Sequence, residues 1–263
     1  MLEIDKTHNI DNVQGMKLLD DECIDLTVTS PPYDNLRNYN GFLFDFQNVA
    51  KELFRVTKKG GVVVWIVSDA TIDGSETGTS FKQALYFMQC GFNLHDTMIW
   101  CKDGGGAVGS NLCYTQNFEY MFVFSKLKPK TVNLIYDKPS KTYSGIAKTV
   151  RESRGGDDKG DRGTTTFMRR EISKRNNWWY LCPSAQECSG LHPAVFPEEL
   201  ARDHIKTWSN EGDLVMDCFM GSGTTAKMAL QLNRHYIGFE ISEEYCNLAE
   251  KRVLGEKSQL KLF

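Results

Sequence analysis

The chain of 263 residues predicts a doubly wound α/β fold, with strands and helices alternating around a largely parallel sheet. Three stretches carry that expectation. Val62-Val63-Val64-Trp65-Ile66-Val67 is apolar at every position, which suits a strand covered by helices on both faces. Apolar strands of this kind alternate with helical spacing through the first 125 residues. Near the other end, Leu214-Val215-Met216-Asp217 runs into the turn Gly221-Ser222-Gly223 and then directly into a helix over 226–232.

In chain order, a polar lead (His8-Asn9-Ile10-Asp11-Asn12) precedes an amphipathic turn carrying Val13, Met16, Leu18 and Leu19. Residues 24–29 are rich in β-branched side chains and alternate Leu26 and Val28 against Thr27 and Thr29, a buried strand. Between Leu43 and Val56, Phe44, Phe46, Val49, Ala50, Leu53 and Phe54 recur at helical spacing, and Lys59-Gly60-Gly61 breaks that helix. A loop from Ser68 to Ser80 leads to a helix over 81–90, and strands follow at 96–100 and 119–125. Periodicity lapses from Lys126 to about Asn177, where the polar, glycine-rich run 155–163 predicts no stable element. Regular structure resumes at Trp178-Trp179-Tyr180-Leu181, then in a helix through Trp208 with Pro197 in its first turn.

A hydrophobic content of 41% supports a full core with room for an insert. No apolar run is long enough to span a bilayer and the first residues lack a signal-peptide core, so a soluble, cytoplasmic protein is expected. The cysteines at 23, 90, 101, 113, 182, 188, 218 and 246 form no Cys-x-x-Cys pair. They read as small buried thiols of a reducing compartment, with no disulfide framework and no metal site. The net charge of −3 conceals a basic segment: 127–176 holds 13 Lys and Arg against 6 Asp and Glu, the remainder 18 against 28. Such a segment on an acidic body suits a nucleic-acid partner, although charge alone fits a solvated lysine-rich loop equally well.

Two places carry candidate chemistry. The strand 24–29 ends on Ser30-Pro31-Pro32-Tyr33, where neither proline can donate to a ladder and Pro32 holds Pro31 extended. The carbonyls of Ser30 and Pro31 then point outward beside a hydroxyl and an aromatic ring. That set suits a flat heterocycle with an exocyclic amino group, whereas the plainer account is a proline-terminated strand entering a loop. At the second place, the glycine turn 221–223 gathers backbone N–H groups and a helix N-terminus. Seventeen residues after Gly223, the strand 235–239 closes on Glu240, placed to grip ribose hydroxyls. A triphosphate would need a lysine that Ala226-Lys227 misplaces, and a dinucleotide is served by a passable Gly-x-Gly-x-x-Ala. An acid before the turn (Asp217, suited to an ammonium) and one after it favour S-adenosylmethionine (AdoMet).

Together, Asp217-Cys218-Phe219-Met220-Gly221-Ser222-Gly223-Thr224-Thr225 and Thr29-Ser30-Pro31-Pro32-Tyr33 resemble the cofactor and catalytic motifs of the amino-methylating DNA methyltransferases. Their order, catalytic first and cofactor last, is similar to the circularly permuted beta class. Asn9-Ile10-Asp11 through Gly15-Met16 resembles the family's opening segment, in which the acid contacts the cofactor adenine, although many relatives carry Gly where Ile10 stands. Residues 59–65 and Asn117-Phe118-Glu119 through Lys126 match later sheet motifs, and His192 to Pro197 is similar to the segment beside the cofactor methionine. The resemblance offers no counterpart to the segment 127–177, as expected of a target-recognition region, so the DNA sequence read is not carried over.

The resemblance implies a Rossmann-like seven-stranded AdoMet-dependent methyltransferase sheet, circularly permuted, with a recognition insert. Its divisions would be a catalytic half (1–126), a target-recognition insert (127–190) and an AdoMet-binding half (191–263). Ser30, Pro31, Pro32 and Tyr33 would be catalytic. Asp11, Phe196, Asp217, Phe219, Gly221, Ser222, Gly223, Thr224, Thr225 and Glu240 would hold AdoMet. Arg169, Arg170, Lys174 and Arg175 of the basic segment would meet double-stranded DNA. A monomer or homodimer, with or without a cognate restriction endonuclease, is consistent with this, and no membrane is involved. Serine at position 30 and Phe118, where many adenine enzymes have His, lean toward N4 of cytosine; N6 of adenine is the alternative. RNA or protein-amide methylation fits less well, since such enzymes keep the unpermuted order and begin their motif with Asn. A DNA-binding subunit of the same fold without transfer activity is the remaining reading, and intact residues in both motifs argue against it.

Overall fold

The computed structural model describes residues 2–32, 45–102, 114–140, 146–150, 164–168, 171–182 and 195–260. They fall into two compact units, one reaching to Asn133 and resuming at Asn177, the other spanning Leu134–Asn176.

The larger unit begins with β1 (Lys6–Asn9), α1 (Asn12–Lys17) and β2 (Ile24–Thr29). Then come α2 (Phe46–Val56), β3 (Thr57–Val67), the two-residue strands β4 (Thr71–Ile72) and β5 (Ser75–Glu76), α3 (Thr79–Gln89), β6 (Asn93–Cys101) and β7 (Phe118–Ser125). The smaller unit holds β8 (Tyr136–Pro139), β9 (Ile146–Val150), β10 (Thr164–Met168) and β11 (Ile172–Lys174). The larger unit resumes with β12 (Trp178–Tyr180), α4 (Glu198–Trp208), β13 (Leu214–Asp217), α5 (Thr224–Gln231), β14 (His235–Glu240) and α6 (Glu243–Leu260). No helix among the described residues is long and apolar enough to cross a membrane.

Eight strands form one sheet in the order β1-β14-β13-β2-β3-β7-β6-β12. β7 is antiparallel to both of its neighbours, and every other pairing is parallel. The eighth strand is the addition to the seven expected. The aromatic run at 178–180 pairs in register with Ile99, Trp100 and Cys101 of β6, burying Trp179 while Trp178 and Tyr180 stay exposed.

The central strand β3 shows why both faces had to be apolar. Val62, Val64 and Ile66 enter a core shared with α4, α5 and α6, whereas Val63, Trp65 and Val67 enter one shared with α2 and α3. Each such side chain contributes roughly 1.5–3 kcal/mol on burial. The one polar atom this brings inside, Trp65 Nε1, donates to Gln83 Oε1 at 2.8 Å. On α2 the buried residues Val49, Ala50, Leu53 and Val56 trace a single stripe, and Asp45 caps the start by accepting from Asn48 N. Pro197 occupies the N-cap position of α4, one residue earlier than its expected place in the first turn.

The expectation that order lapses between 126 and 177 is corrected here. β8 pairs antiparallel with β11 and β9 with β10, two ribbons in place of a structureless stretch. Their sequences are β-branched (Thr164-Thr165-Thr166, Ile146-Ala147-Lys148-Thr149-Val150) but follow no regular apolar–polar alternation, so strand propensity was present without the pattern that signals a buried face. The glycine-rich run 155–163 lies outside the described residues.

Candidate active site

β1, β14, β13 and β2 lie side by side and parallel, so their carboxyl ends make one continuous edge, the place where open α/β sheets present ligands. Asn9 pairs there with Glu240, Asp217 with Gly238, and Thr29 leads out of β2 one position beyond Val28. The sheet thus gathers Asp11, Glu240, the turn after Asp217 and the Ser30-Pro31-Pro32 rim along a single edge. Ser30 and Pro32 are half-buried and Pro31 is buried; Tyr33 lies outside the described residues.

Two motifs separated by 188 residues meet at the Asp217 carboxylate. Its Oδ1 accepts from Thr29 Oγ1 at 2.6 Å and from Phe219 N at 3.0 Å, and its Oδ2 accepts from Thr225 Oγ1 at 2.8 Å. The Thr225 hydroxyl also lies 3.2 Å from the Val28 carbonyl. Asp217 is only 1% exposed. Burial pushes its carboxyl up to about 6 although all three donors favour the charged form, and the nearby Glu240 charge adds to the rise. The adjacent Cys218 is buried as well, and burial drives its thiol far above its ordinary value, so it offers no thiolate nucleophile.

The turn itself is shaped by glycine at two contacts. Gly223 sits at φ +81°, and a Cβ there would stand 2.9 Å from Ala249 Cβ. A Cβ on Gly238 would fall 2.0 Å from Met220 Cε, so the absence of a side chain there lets the Met220 side chain lie against β14. Met220 N donates to Phe239 O at 3.0 Å and Gly223 N to Met220 O at 2.9 Å. α5 starts at Thr224 with Gly223 as its cap and no side-chain capping bond, leaving the positive helix end at the turn.

Glu240 closes β14 and anchors this turn from the other side. Its Oε2 accepts from Gly221 N at 2.8 Å and its Oε1 from Ser242 N at 2.9 Å, while burial raises its pKa. Asn9 Nδ2 reaches the carbonyls of Glu240 and Ile241 at 3.0 and 3.1 Å, fastening β1 to the same corner. Asp11 caps α1 by accepting from Gln14 N at 3.0 Å. The two expected phenylalanines part company. Phe219 packs half-buried on the α2–α3 side, its ring 6.2 Å from Trp65, whereas Phe196 is buried in the α4–α6 core. The hydroxyls of Ser222 and Thr224 accept from Arg252 Nη1, each at 3.2 Å.

Sequence reasoning passed over Thr29, Asn9 and Arg252. Thr29 did leave a signal, because a hydroxyl in a strand buried on both faces needs an internal acceptor. Of the basic residues expected at DNA, Lys174 ends β11 and Arg175 Nε donates to Asp137 Oδ2 at 2.8 Å; Arg169 and Arg170 lie outside the described residues.

A DNA methylase profile matches residues 24–251, a span that contains both motifs. The chain belongs to the DNA methylase family. It is similar to the orphan methyltransferase M.BamHII of Bacillus amyloliquefaciens, with 56% identity over 239 residues and 89% of each chain covered. The type II methyltransferase M1.MboII of Moraxella bovis is 27% identical over 281 residues, covering 95% of this chain and 96% of that one. Among solved structures, the PvuII DNA methyltransferase, described as cytosine-N4-specific, superposes with a TM-score of 0.67 at 18% identity, covering 97% and 91%. M1.HpyAVI in complex with AdoMet gives 0.59 at 21% identity, covering 94% and 98%. At those identities the two structures attest the shared fold. Enzymes of this DNA methylase family take their methyl group from AdoMet. The donor set fits that ligand, since Glu240 closes the strand beside the turn with both oxygens able to accept from hydroxyls and the glycine turn lets a backbone approach closely.

Proposed function

We propose that this DNA methyltransferase is site-specific and of the permuted beta class, and that it methylates N4 of a cytosine extruded from duplex DNA, in a restriction–modification or solitary setting. The Asp217 junction carries the proposal. It ties the strand that ends in Ser30-Pro31-Pro32 to the glycine turn, so a base held by one and a cofactor held by the other are set at a fixed separation.

When bound, AdoMet would supply an electrophilic sulfonium methyl, with the C–S electron pair retained by sulfur on transfer. Glu240 and Asp11 would hold its nucleoside end, and the turn with Asp217 its methionine end. An exocyclic amino group is a poor nucleophile because its lone pair is delocalised into the ring. Accepting its two N–H bonds at Ser30 Oγ and at the Ser30 or Pro31 carbonyl pyramidalises the nitrogen and turns the lone pair toward the methyl. Tyr33, outside the described residues, would stack on the extruded base. The same oxygens stabilise the positive charge that develops on nitrogen. A serine hydroxyl is too weak a base to take the surplus proton early, so it leaves to water after the N–C bond has formed.

The preference for cytosine rests on Ser-Pro-Pro-Tyr and on Phe118. Incubation with AdoMet and duplex DNA followed by nucleoside mass spectrometry should give N4-methylcytosine. N6-methyladenine in its place would reassign the base, and the absence of any methylated nucleoside across varied duplexes would overturn the activity.

The basic segment is proposed to read DNA. Pooled substitution of Arg169, Arg170, Lys174 and Arg175 should weaken DNA binding and spare AdoMet binding. If four phosphate contacts are lost, the slope of log K against log salt should flatten by about 3.6. An unchanged slope would leave the segment as a surface ribbon. Arg175 is the least effective member expected, because Asp137 already holds its guanidinium and is itself kept below the usual carboxylate range by it.

A further inference from the structure

The glycine turn is gripped from behind by one residue of α6. We propose that Arg252 is a positioning residue for AdoMet, locking the turn and the start of α4 into a single cradle; the inference rests on the cofactor reading above. The Arg252 side chain is only 9% exposed. Its Nη1 donates to the Ser222 carbonyl at 2.8 Å and to the hydroxyls of Ser222 and Thr224 at 3.2 Å each. Its Nη2 donates to Glu198 Oε1 at 2.6 Å, an oxygen that also accepts from Lys227 Nζ at 3.1 Å. One planar group therefore spans the turn after β13, the first turn of α4 just beyond Phe196, and through Glu198 the body of α5.

Holding the Ser222 carbonyl toward α6 sets the plane of the Ser222–Gly223 peptide, whose N–H then meets Met220 O. Ala249, one helical turn before Arg252, supplies the close contact that excludes a Cβ at Gly223. α6 thus sets the turn's conformation by a hydrogen-bonded fork and a steric floor. Glycines at φ +51° and +81° give the turn freedom that some external restraint must remove before a ligand can meet a preformed surface. Both jobs need the fork: a lysine keeps the charge but cannot reach Ser222 and Glu198 together in one plane. Arg252 Nε is buried and has no hydrogen-bond partner, which accords with a side chain aimed by its two terminal nitrogens.

The test compares Arg252→Lys and Glu198→Gln with the wild-type chain, using calorimetric AdoMet affinity, steady-state KM for AdoMet and for DNA, and melting temperature. For Arg252→Lys the AdoMet Kd and KM should rise about tenfold, with KM for DNA unmoved. Glu198→Gln, which keeps the acceptor but removes its charge, should raise them less. Arg252→Lys that melts lower yet binds AdoMet as tightly as the wild type would make the clamp merely structural and overturn the proposal. Parallel rises in both KM values would overturn it as well. Should Arg252→Lys fail to fold, Glu198→Gln decides alone: unchanged AdoMet affinity and KM sink the proposal, and a selective rise in KM for AdoMet sustains it. Wild-type protein that binds no AdoMet is a different result, since it removes the cofactor reading itself.

Discussion

Asp217→Ala should lower the melting temperature and the AdoMet affinity together, because this carboxylate is both the seam of the fold and part of the proposed cofactor edge. The substitution removes the acceptor of the buried Thr29 and Thr225 hydroxyls and of the part-buried Phe219 N–H. Loss of bonds to a buried charged group costs on the order of 3 kcal/mol, or roughly 6–12 °C at this chain length. Asp217→Asn separates charge from bonding. Burial has raised the folded-state carboxyl to about 6, above its unfolded value. Its stabilising contribution is therefore full below the unfolded value and is lost as pH rises through about 6, a change of about 3 kcal/mol for a shift of two units. The asparagine variant lacks that titration, so its melting temperature relative to wild type should climb between pH 4 and 7. AdoMet affinity should move the opposite way in the wild type, rising with pH through the same interval as the buried carboxyl ionises and its negative charge acts through space on a cation at the turn. A stability difference that stays flat with pH would assign the titration elsewhere.

How far the sequence could be read depended on which physical signal each region carried. β3 was legible because burial on both faces demands an unbroken apolar run, and β2 because β-branched residues dominate it and Leu26 and Val28 alternate with Thr27 and Thr29. The glycine turn was legible because its geometry disfavours other residues, as the positive φ and the Ala249 contact of Gly223 show. What escaped was set by pairing across long separations. No local feature of Thr29 states that its partner is 188 residues away, and no feature of Arg252 states that it closes over Ser222. Asp217 illustrates the limit. Its position before the turn marked it as a candidate acid, but only the fold reveals that both its oxygens are engaged by the protein. The α6 helix was missed although Cys246, Ala249 and Val253 are all buried at helical spacing. The ribbons of the smaller unit were missed because their strands carry no regular alternation to detect.

Ser30→Ala is expected to have the largest effect on catalysis, lowering kcat by about 10²–10³ while the AdoMet Kd changes by less than about twofold. Two hydroxyls stand in succession at the end of β2, and the structure distinguishes them. Thr29 is fully buried and turned inward to Asp217, whereas Ser30 is half-buried at the rim, next to the prolines that hold the chain extended. The fully buried hydroxyl should therefore act on stability and cofactor, and the half-buried one at the rim on the base. Thr29→Val serves as the contrasting variant: it should lower the melting temperature and weaken AdoMet binding, since it removes one of three donors to a buried carboxylate. Single-turnover methylation with saturating AdoMet isolates the chemical step from binding. Retention of the wild-type single-turnover rate by Ser30→Ala would remove the hydroxyl from the mechanism and leave the Ser30 and Pro31 carbonyls as the acceptors. Loss of AdoMet binding on that substitution would instead move Ser30 into the cofactor site. A slow variant that still binds AdoMet and still yields N4-methylcytosine assigns the hydroxyl to the amino group it was inferred to orient.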